Sequence, residues 1–448
     1  MTDLDLGVRR LPLQLEPSSR RVLLRPFIPS LVVKPAPAEE GGTGLPPESG
    51  PLPRLRQLSE RIGALSEAEV DAQLERLRRR FQGRHLDLEA LVDRHRQAAM
   101  PLLPDLERWG GRRLLLLGCY LTHEYALEAA ALFNPSLVPH PDQTVLGPGE
   151  LRVVLSLRAT GEGHISSIVF RSAVLGPDGQ VRLERPSPYV QQGEIRRQGP
   201  SPRHYEVVYG RESELSQRVL FPAIAEESNG LEDARFVAVR EGESLRWFAT
   251  CTAYDGREVG IQAIETDDFR HFRLGPLEGR AVANKGLALF PRRVGGQWWM
   301  LGRQDSVNVH VMDSGDLHRW DRSQPLLEPR HPWEFVQLGN CGSPIETEAG
   351  WLVLTHGVGP MREYGIGAAL LDLQDPTRVL GRLREPLLTP LEEERDGYVP
   401  NVVYSCGGLV HGGQLVLPYA VSDRASRFAL VDLERLLTAL TAPAARPD

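Results

Sequence analysis

The stretch Thr266-Asp-Asp-Phe-Arg-His-Phe272 decides the fold, because it recurs in altered form as Ser314-Gly-Asp-Leu-His-Arg-Trp320. Both copies follow the pattern Ser/Thr-x-Asp-apolar-x-x-aromatic, and they begin 48 positions apart (314 − 266). A second pair, Pro325-Leu-Leu-Glu-Pro329 and Pro386-Leu-Leu-Thr-Pro390, begins 61 positions apart (386 − 325). A period of about 50 residues with about four strands per period is typical of the blades of a β-propeller.

Outward from this repeat, short β-type runs separated by Gly, Asp, Asn and Pro extend from about Leu132 to the end of the chain. Such runs indicate a sandwich, a barrel or a propeller, and the repeat favours a propeller of about five or six blades. A short helix is predicted after the last strand, at 433–440. The predicted strands are 153–157, 165–174, 205–209, 236–239, 246–252, 287–290, 298–301, 307–312, 351–354, 366–371 and 415–419.

A helical segment precedes the β-rich region. Ser66-Glu-Ala-Glu69 is a capping-box pattern, and Val70, Leu74, Leu77 and Phe81 then recur at helical spacing. Two further helices are predicted, one around 88–92 and one at 124–133.

The residues ahead of the helices have little core-forming character. We expect residues 1–20 to be loose, 21–29 to form a short edge strand, and the Pro-, Gly- and Glu-rich stretch 35–53 to be a linker. The predicted domains are an N-terminal arm with its linker (1–54), a helical insert (55–130) and a β-propeller domain (131–448).

The overall composition excludes several classes of function. The 448 residues are 41% hydrophobic and 25% charged, which suffices for a large core. A net charge of −7 argues against nucleic acid as a partner, because that partner requires a basic face. No stretch reaches the ~18 apolar residues of a membrane span. The sequence therefore favours a neutral or small ligand.

The four cysteines, Cys119, Cys251, Cys341 and Cys406, are far apart in the chain. They form no Cys-x-x-Cys pair and no spacing with His that suits zinc, so we predict free thiols and no metal site. The N-terminus starts acidic and lacks the long apolar core of a signal peptide. We therefore expect a cytoplasmic protein.

Polar residues beside turns are the candidates for a site, because the ligands of a propeller usually meet an axial funnel. The turn Gly339-Asn-Cys-Gly-Ser-Pro-Ile-Glu346 delivers a carboxylate, and a short apolar strand then leads to His356. For each candidate the alternative is an ordinary turn residue or a surface salt bridge. The other candidates are Glu232, Asp233, Arg235, Asn284, Lys285, Arg303, Asp305, Tyr364 and Asp423.

Two well-separated carboxylates beside a cationic pocket suit the cleavage of a glycosidic bond with inversion. A protonated acid assists the leaving oxygen while a base or nucleophile acts on the opposite face, with the carboxyl groups about 6.5–9.5 Å apart. Four tryptophans are candidate platforms for stacking sugars, and a place in the core is the alternative for each. They are Trp298, Trp299, Trp333 and Trp351.

Six motifs occur in order and together resemble glycoside hydrolase family 130, the β-mannoside phosphorylases and related inverting β-mannosidases. The resemblance covers about residues 130–435, and the helical insert is not part of the common family core. The motifs are Leu231-Glu-Asp-Ala-Arg235, Asn284-Lys-Gly-Leu-Ala-Leu-Phe-Pro291, Gly342-Ser-Pro-Ile-Glu-Thr-Glu-Ala-Gly-Trp-Leu352, Thr355-His-Gly-Val358, Ala368-Ala-Leu-Leu-Asp-Leu-Gln-Asp-Pro376 and Gly397-Tyr-Val-Pro-Asn-Val-Val403.

The resemblance implies a five-bladed β-propeller with no cofactor or metal. The predicted fold is therefore all-β, with the N-terminal helical insert and the short C-terminal helix read from the sequence added to this propeller. It makes Asp233 the general acid, acting through a hydroxyl of the bound mannose. It places three residues near the mannose: Asn134, Arg158 and Asp423. It places four others around inorganic phosphate, the co-substrate of the phosphorylases: Lys285, Arg303, His356 and Tyr364.

The sequence departs from the family at Glu346, within Ser343-Pro-Ile-Glu-Thr347, where the phosphorylases generally have a lysine. A carboxylate beside phosphate repels it by several kcal/mol at an effective dielectric of about 20. We therefore predict hydrolysis of β-mannosides, with Glu346 as the base that activates water. The alternatives are a β-mannoside phosphorylase, in which Glu346 pairs with Arg303, His356 or Lys285, and a propeller that binds glycans without cleaving them. Assembly into a homo-oligomer is left open.

Overall fold

The structure is a computed structural model that describes residues 6–27, 51–197, 201, 203–242 and 244–442. The chain divides into two compact units. The β-rich unit comprises Met1–Ser19, Leu127–Ser187 and Gln191–Asp448, and the helical unit comprises Arg20–Ala126 and Pro188–Val190. The predicted domain boundaries at 54/55 and 130/131 stay a prediction. Residues 28–50, which hold most of the predicted linker, lie outside the described residues.

Two strands come first in the chain, β1 (Arg9–Leu15) and β2 (Ser18–Pro26). The expectation that residues 1–20 are loose is wrong, because β1 pairs antiparallel with β28 (Ala425–Asp432), and each paired residue is 411 or more positions away. Arg9 lies opposite Leu430, and Leu15 lies opposite Ser426. A partner that distant in sequence supplies the backbone hydrogen bonds that the short polar strand lacks locally.

The helical unit contains α1 (Pro51–Gly63), α2 (Glu67–Phe81), α3 (Leu88–Ala99) and α4 (Gly111–Tyr120). The predicted capping box is confirmed: the backbone N–H of Ser66 donates to the Glu69 carboxylate at 2.7 Å, and the Ser66 hydroxyl accepts from the Glu69 N–H. The apolar faces of these helices share one core, which includes Leu55, Val70, Leu74, Leu116 and Leu117.

The predicted helix at 124–133 is wrong, since its residues lie in β3 (Thr122–Glu128) and β4 (Ala131–Pro139). Strand β3 pairs with β2 in a two-stranded sheet. Eight of the nine residues of β4 are buried, including Asn134 and Ser136, so apolar and polar residues do not alternate along it. Such a run has no strand period that distinguishes it from a buried helix.

A twelve-stranded sheet opens the β-rich unit and consists of two mainly antiparallel halves, with β8 and β11 paired parallel in the first half. A single parallel pair, Ser166 with Gly230, joins the halves. The first half is built on β4, β5 (Leu151–Thr160) and β6 (Ser166–Leu175), with β7 (Val181–Leu183), β8 (Gln191–Gln192) and β11 (Arg218–Leu220) beside β6. The second half contains β9 (Glu194–Arg197), β10 (Tyr205–Val208), β12 (Gly230–Glu241), β13 (Ser244–Tyr254), β14 (Val259–Thr266) and β15 (His271–Pro276).

Three smaller antiparallel sheets follow in chain order. We call the two halves of the twelve-stranded sheet the first and second strand groups, and these three sheets the third, fourth and fifth. The third strand group is β16 (Ala288–Leu289), β17 (Trp298–Gly302), β18 (Val309–Ser314) and β19 (Gln324–Leu327). The fourth is β20 (Gln337–Asn340), β21 (Ile345–Thr347), β22 (Gly350–Val358), β23 (Tyr364–Leu371) and β24 (Val379–Arg382). The fifth is β25 (Val403–Tyr404), β26 (Leu409–His411), β27 (Gln414–Val421), β28 (Ala425–Asp432) and β1, and α5 (Leu433–Thr441) follows β28 as predicted.

Each strand group packs its apolar side chains against the next group, and the fifth packs against the first. Backbone hydrogen bonds also join the last group to the first, since the N–H of Cys406 donates to the Pro135 carbonyl at 2.8 Å. The protein is thus mostly β with few helices. The residue pairs that share a core between successive groups are Phe170 with Phe236, Phe248 with Trp298, Phe290 with Trp351, Leu352 with Leu417, and Phe133 with Ala420.

Candidate functional site

One cavity of the β-rich unit is lined by side chains from all five strand groups. Its volume is about 170 Å³, several times the ~30 Å³ that one water molecule takes up in the liquid. Of the nine residues assigned to catalysis, mannose or phosphate, eight line it and Glu346 does not; the turn candidates Glu232, Asn284 and Asp305 do not line it either. The eight are Asn134, Arg158, Asp233, Lys285, Arg303, His356, Tyr364 and Asp423.

Bulges in two strands present Asn134 and Asp233 to the cavity. The pairing register shifts in β4 between Phe133 and Ser136, and in β12 between Glu232 and Arg235. Within these bulges Asn134 has a φ of 49° and Asp233 a φ of 55°. Asn and Asp tolerate this left-handed conformation better than other residues with a side chain. The bulge turns a side chain out of the regular alternation of the strand and toward the cavity.

Asp233 is held by a neutral donor and a cation. Asn134 donates through Nδ2 to Asp233 Oδ1 at 2.7 Å, and Arg158 Nη1 approaches the same oxygen at 3.4 Å. Burial alone would raise the pKa of Asp233, but the charge of Arg158 and the hydrogen bond from Asn134 favour the carboxylate, so its pKa lies below the ordinary value. The Oδ1 of Asn134 is buried and has no partner among the described residues, so it can accept a hydrogen bond from a ligand.

Asp423 lies in the same cavity with the opposite tendency. Burial, followed by the negative charge of Asp233, raises the pKa of Asp423 to about 6. Its φ of 49° marks a third carboxamide or carboxylate residue held in the left-handed region at this cavity. The two carboxyl groups therefore carry different protonation tendencies although they share one site.

The cationic side of the cavity is built around His356. Arg303 Nη1 lies 3.3 Å from His356 Nε2, and because a guanidinium can only donate, Nε2 accepts and the ring proton lies on Nδ1. Cys341 Sγ is 3.9 Å from that Nδ1. Burial, together with the charges of Arg303 and Arg235, lowers the pKa of His356 well below its ordinary value. The imidazole is thus a neutral group that orients Arg303.

Two tyrosines and a glycine fix the plane of the imidazole. Tyr364 stacks on His356 with ring centroids 5.9 Å apart and an interplanar angle of 8°, and Tyr404 meets it edge-on at 4.9 Å. A Cβ atom at Gly339 would lie 2.3 Å from His356 Cε1, so the ring occupies space that only glycine leaves open. These contacts join β20, β22, β23 and β25 at one wall of the cavity.

Arg235 connects Asn340 to Tyr404, and sequence reasoning assigned no role to either of these partners. Arg235 Nη1 donates to the backbone carbonyl of Asn340 at 2.7 Å, and Nη2 donates to the Tyr404 hydroxyl. Burial raises the pKa of Tyr404, so the phenol keeps its proton and can donate it to a ligand. Both residues end short strands just before a turn that contains glycine, so a position beside a turn is the signal that could have found them.

Lys285 and Arg158 share one carboxylate, that of Glu232. Lys285 Nζ lies 2.9 Å from Glu232 Oε2, and Arg158 Nη2 lies 2.7 Å from Oε1. Glu232 thereby links the cation predicted at the phosphate to the cation predicted at the mannose. The Asn284 side chain accepts from the Lys285 N–H at 2.8 Å and fixes the turn that carries this lysine.

The predicted position of Glu346 in the site is wrong. Its carboxylate forms a bidentate pair with Arg292, with both oxygens 3.0 Å from Nε, and not with Arg303, His356 or Lys285 as the alternative proposed. Glu346 lies opposite Trp351 in the β21–β22 pairing, and Trp351 is five residues before His356 along β22. At ~3.3 Å per residue this places it about 17 Å along the strand from the cavity side.

The tryptophans proposed as sugar platforms serve the core instead. Trp298 and Trp351 are 1% and 0% exposed. Trp299 packs against the core between the third and fourth groups, and Trp333 lies over Gly357 and Gly367 of the fourth sheet. None of the four lines the cavity.

The remaining sequence predictions concern thiols, metals and membranes. The four cysteines are free, and Cys251, Cys341 and Cys406 are buried. Over the described ranges, no group of three or more His, Cys, Asp and Glu side chains is arranged to hold a metal ion. None of the helices that the structure describes combines the length and the apolar character needed to cross a bilayer.

Comparison with known proteins gives a family match over the β-rich unit. The family described as beta-1,4-mannooligosaccharide phosphorylase, glycoside hydrolase family 130, matches residues 205–442. The chain is 37% identical over 153 residues to a 1,2-β-oligomannan phosphorylase of Thermoanaerobacter sp. (strain X514). That match covers 34% of this chain and 51% of the relative, so the chain spans about half the length of this relative. A β-1,2-mannobiose phosphorylase of the same strain is 31% identical over 227 residues, covering 49% of this chain and 72% of the relative.

A solved structure from work on family 130 glycoside hydrolases that target β-1,2-mannosidic linkages in Candida mannan has a similar fold. Its TM-score is 0.51 at 19% identity, and the alignment covers 72% of this chain and 89% of that chain. The family match spans more than half of the residues of this chain. The resemblance predicted from the six motifs is confirmed, and the chain belongs to glycoside hydrolase family 130.

Proposed function

We propose that the protein is an inverting β-mannoside phosphorylase, which cleaves a β-mannosidic bond with inorganic phosphate and releases mannose 1-phosphate. The observation that carries this proposal is the charge of the cavity. Five cationic side chains line it against two carboxylates, Asp233 and Asp423. The cations are Arg158, Arg235, Lys285, Arg303 and Arg362.

The anion fits the wall formed by Arg303, His356 and Tyr364. The buried Nε of Arg303 has no hydrogen-bond partner among the described residues, so this guanidinium keeps a donor for a ligand. Lys285 adds an ammonium group, and the Tyr404 hydroxyl adds a neutral donor. Charge-assisted hydrogen bonds of this kind are the usual means of holding a phosphate.

The sugar fits the opposite wall, where Asn134, Arg158, Asp233 and Asp423 meet. In the proposed reaction an oxygen of phosphate forms a bond to the anomeric carbon while the bond from that carbon to the leaving sugar breaks. The leaving oxygen takes a proton that comes from Asp233 through a hydroxyl of the bound mannose, in the relay that the family resemblance implies. Phosphate bound nearby raises the pKa of Asp233 by charge repulsion. The carboxyl group then takes up a proton before the reaction and can pass it on.

The prediction that favoured hydrolysis depended on Glu346 as the base. Its carboxylate is paired with Arg292 and does not line the cavity, so the repulsion of phosphate that we expected from it loses its basis. The two relatives compared above also have names that describe phosphorylases. Both points favour phosphate over water as the nucleophile.

We also propose that the five strand groups are the blades of a five-bladed propeller with the cavity at its axis. Successive groups pack face to face, the fifth contacts the first, and β1 completes the sheet of β28, which supports a ring. The similar fold of the solved family structure supports it too. The cytoplasmic location stays a prediction, and assembly into a homo-oligomer stays open.

The test is to incubate the protein with β-1,2- and β-1,4-mannobiose, with and without phosphate. We expect turnover only with phosphate, and a mannose 1-phosphate signal in ³¹P NMR. Release of free mannose at an equal rate without phosphate would contradict the proposal and return hydrolysis to first place.

A further inference from the structure

The side chain of Asn340 has an oriented and unused acceptor in the cationic part of the cavity. Its Nδ2 donates to the carbonyl of Gly342 at 3.1 Å. A carbonyl can only accept, so this contact fixes which end of the amide is the nitrogen and which is the oxygen. Asn340 is 1% exposed, and its Oδ1 has no hydrogen-bond partner among the described residues.

A buried acceptor without a partner costs about 1–3 kcal/mol, and native structures contain few of them. Asn340 lines the cavity, and its Oδ1 is buried there without a hydrogen-bond partner among the described residues. A donor that binds inside the cavity is therefore the group that can satisfy this oxygen. The surrounding residues decide which donor that is.

The neighbours of Asn340 are those of the proposed phosphate site. Arg235 donates to its backbone carbonyl, and Gly286, the residue after Lys285, faces both the Arg235 guanidinium and Asn340 Oδ1. Gly339, the preceding residue, lies against the His356 ring. The cations here attract any tetrahedral anion, but Oδ1 repels an anion that carries no proton.

We infer that Asn340 Oδ1 accepts the proton of hydrogen phosphate and makes the cavity selective for protonated tetrahedral anions over sulfate. Phosphate and arsenate keep at least one proton near neutral pH and can donate it to this oxygen. Sulfate and molybdate have none, so they leave Oδ1 unpaired and place an anionic oxygen against it. The inference rests on the proposed function, since it assigns a specificity residue to the same site.

The experiment measures thermal stabilisation of the full chain in titrations with phosphate, arsenate, sulfate and molybdate, which requires no turnover. For the wild-type protein we expect phosphate and arsenate to bind at least about tenfold more tightly than sulfate and molybdate. Equal binding of sulfate and phosphate would overturn the inference. Failure of all four anions to bind would instead count against the proposed phosphorylase and the inference together.

Two variants of nearly equal size shift the preference in opposite directions. Asn340→Leu removes the acceptor, and we expect the preference for phosphate over sulfate to fall to about twofold, because phosphate loses a hydrogen bond and sulfate loses a repulsive contact. Asn340→Asp keeps an acceptor and adds charge, so sulfate binding should fall more than phosphate binding and the preference should rise. A preference that is unchanged in either variant overturns the inference, and Asn340→Asp supplies the result if Asn340→Leu does not fold.

A preference for phosphate over sulfate without any phosphorolysis of mannosides would separate the two proposals. In that outcome Asn340 discriminates between protonated and unprotonated anions, and the phosphorylase activity is refuted. Phosphate-dependent turnover with equal binding of phosphate and sulfate would support the phosphorylase and overturn the role of Asn340. Inhibition of turnover by sulfate and molybdate, measured against phosphate concentration, gives the same ratios independently of the thermal measurement.

Discussion

Two segments of the β-rich unit carry a carboxylate that the sequence predicted to be catalytic, and the surroundings of the two carboxylates differ completely. The bulge in β12 holds Asp233 with a side chain 18% exposed, between Asn134 and Arg158. The β21–β22 hairpin holds Glu346 with a side chain 43% exposed, paired with Arg292 alone. The bulge lies at the cavity. The hairpin lies about five residues along β22 from His356, which lines the cavity.

The comparison teaches that a turn next to a strand does not by itself define a site. The bulge shifts the register within a strand and redirects one side chain, so that the rest of the sheet fixes where the carboxylate lies. The hairpin only reverses the chain at the end of a strand. A residue there meets solvent, and an ion pair there contributes little.

The sharpest test of the comparison is Asp233→Asn. We expect phosphorolysis of mannobiose to fall by about 10³-fold, because the amide cannot release the proton that the leaving oxygen needs. The check is the initial rate on mannobiose and on an aryl β-mannoside whose phenol leaves as an anion. The loss should be much smaller on the aryl substrate, and an equal loss on both would show that Asp233 only holds the structure.

Arg303→Ala tests the cationic wall opposite Asp233. We expect the KM for phosphate to rise by about 30- to 100-fold, since a charge-assisted hydrogen bond is worth about 2–3 kcal/mol. The KM for the mannoside should change less than threefold. Phosphate titrations at saturating mannoside measure the first value, and a shift of both constants by equal factors would place Arg303 outside the phosphate contact.

Gly339→Ala disturbs the same wall without touching a ligand. The added Cβ would lie 2.3 Å from His356 Cε1, so the imidazole must move and Arg303 loses its orientation. We expect the KM for phosphate to rise about tenfold. The matched control is Gly260→Ala, where an added Cβ meets nothing within 4 Å, and this variant should behave as the wild type.

Asp423→Asn tests the protonation difference between the two cavity carboxyl groups. The raised pKa of Asp423, about 6, means that its contribution to stability is present at low pH and is lost as the pH rises through 6. Asparagine cannot ionise and so avoids this loss. The variant should be more stable than the wild type by about 3 kcal/mol at pH 8, and nearly equally stable at pH 4. Urea unfolding at the two pH values measures this, and a gain at pH 4 would contradict the assignment.

Glu346→Gln has the smallest expected effect and most directly challenges the comparison. We expect the rate of phosphorolysis to stay within twofold of the wild type, and the free energy of unfolding to change by less than about 0.5 kcal/mol. Paired assays with Asp233→Asn under identical conditions give the contrast. A large loss of activity in Glu346→Gln would restore this carboxylate as a catalytic residue.

Local patterns predicted most of the elements. The strands around the repeat and the capping box at Ser66 depend on neighbouring residues, so the sequence carries their signal. Strand β1 and the region 124–133 were missed because their structure depends on partners far away in the chain or on burial of both faces. The same limit explains Tyr404 and Asn340, whose roles depend on Arg235 from another strand group.

The candidate site followed a similar division. Motif order located eight of nine residues at the cavity, because the bulges and glycine turns that present them are encoded locally. Glu346 was misplaced because the distance along a strand between a hairpin and the cavity is set by the register of β21 against β22. Register depends on pairing partners, and a turn motif does not report it.

The pairing of β1 with β28 has a consequence for how the chain is made. The ribosome releases Arg9–Leu15 more than 400 residues before their partners in Ala425–Asp432 exist. The nascent β-rich unit therefore keeps one sheet incomplete until synthesis is nearly finished. A stop codon before β28 would leave the edges of β1 and β27 exposed to other chains. A circular permutant that joins the two ends and places β1 directly after β28 should complete that sheet locally and refold faster.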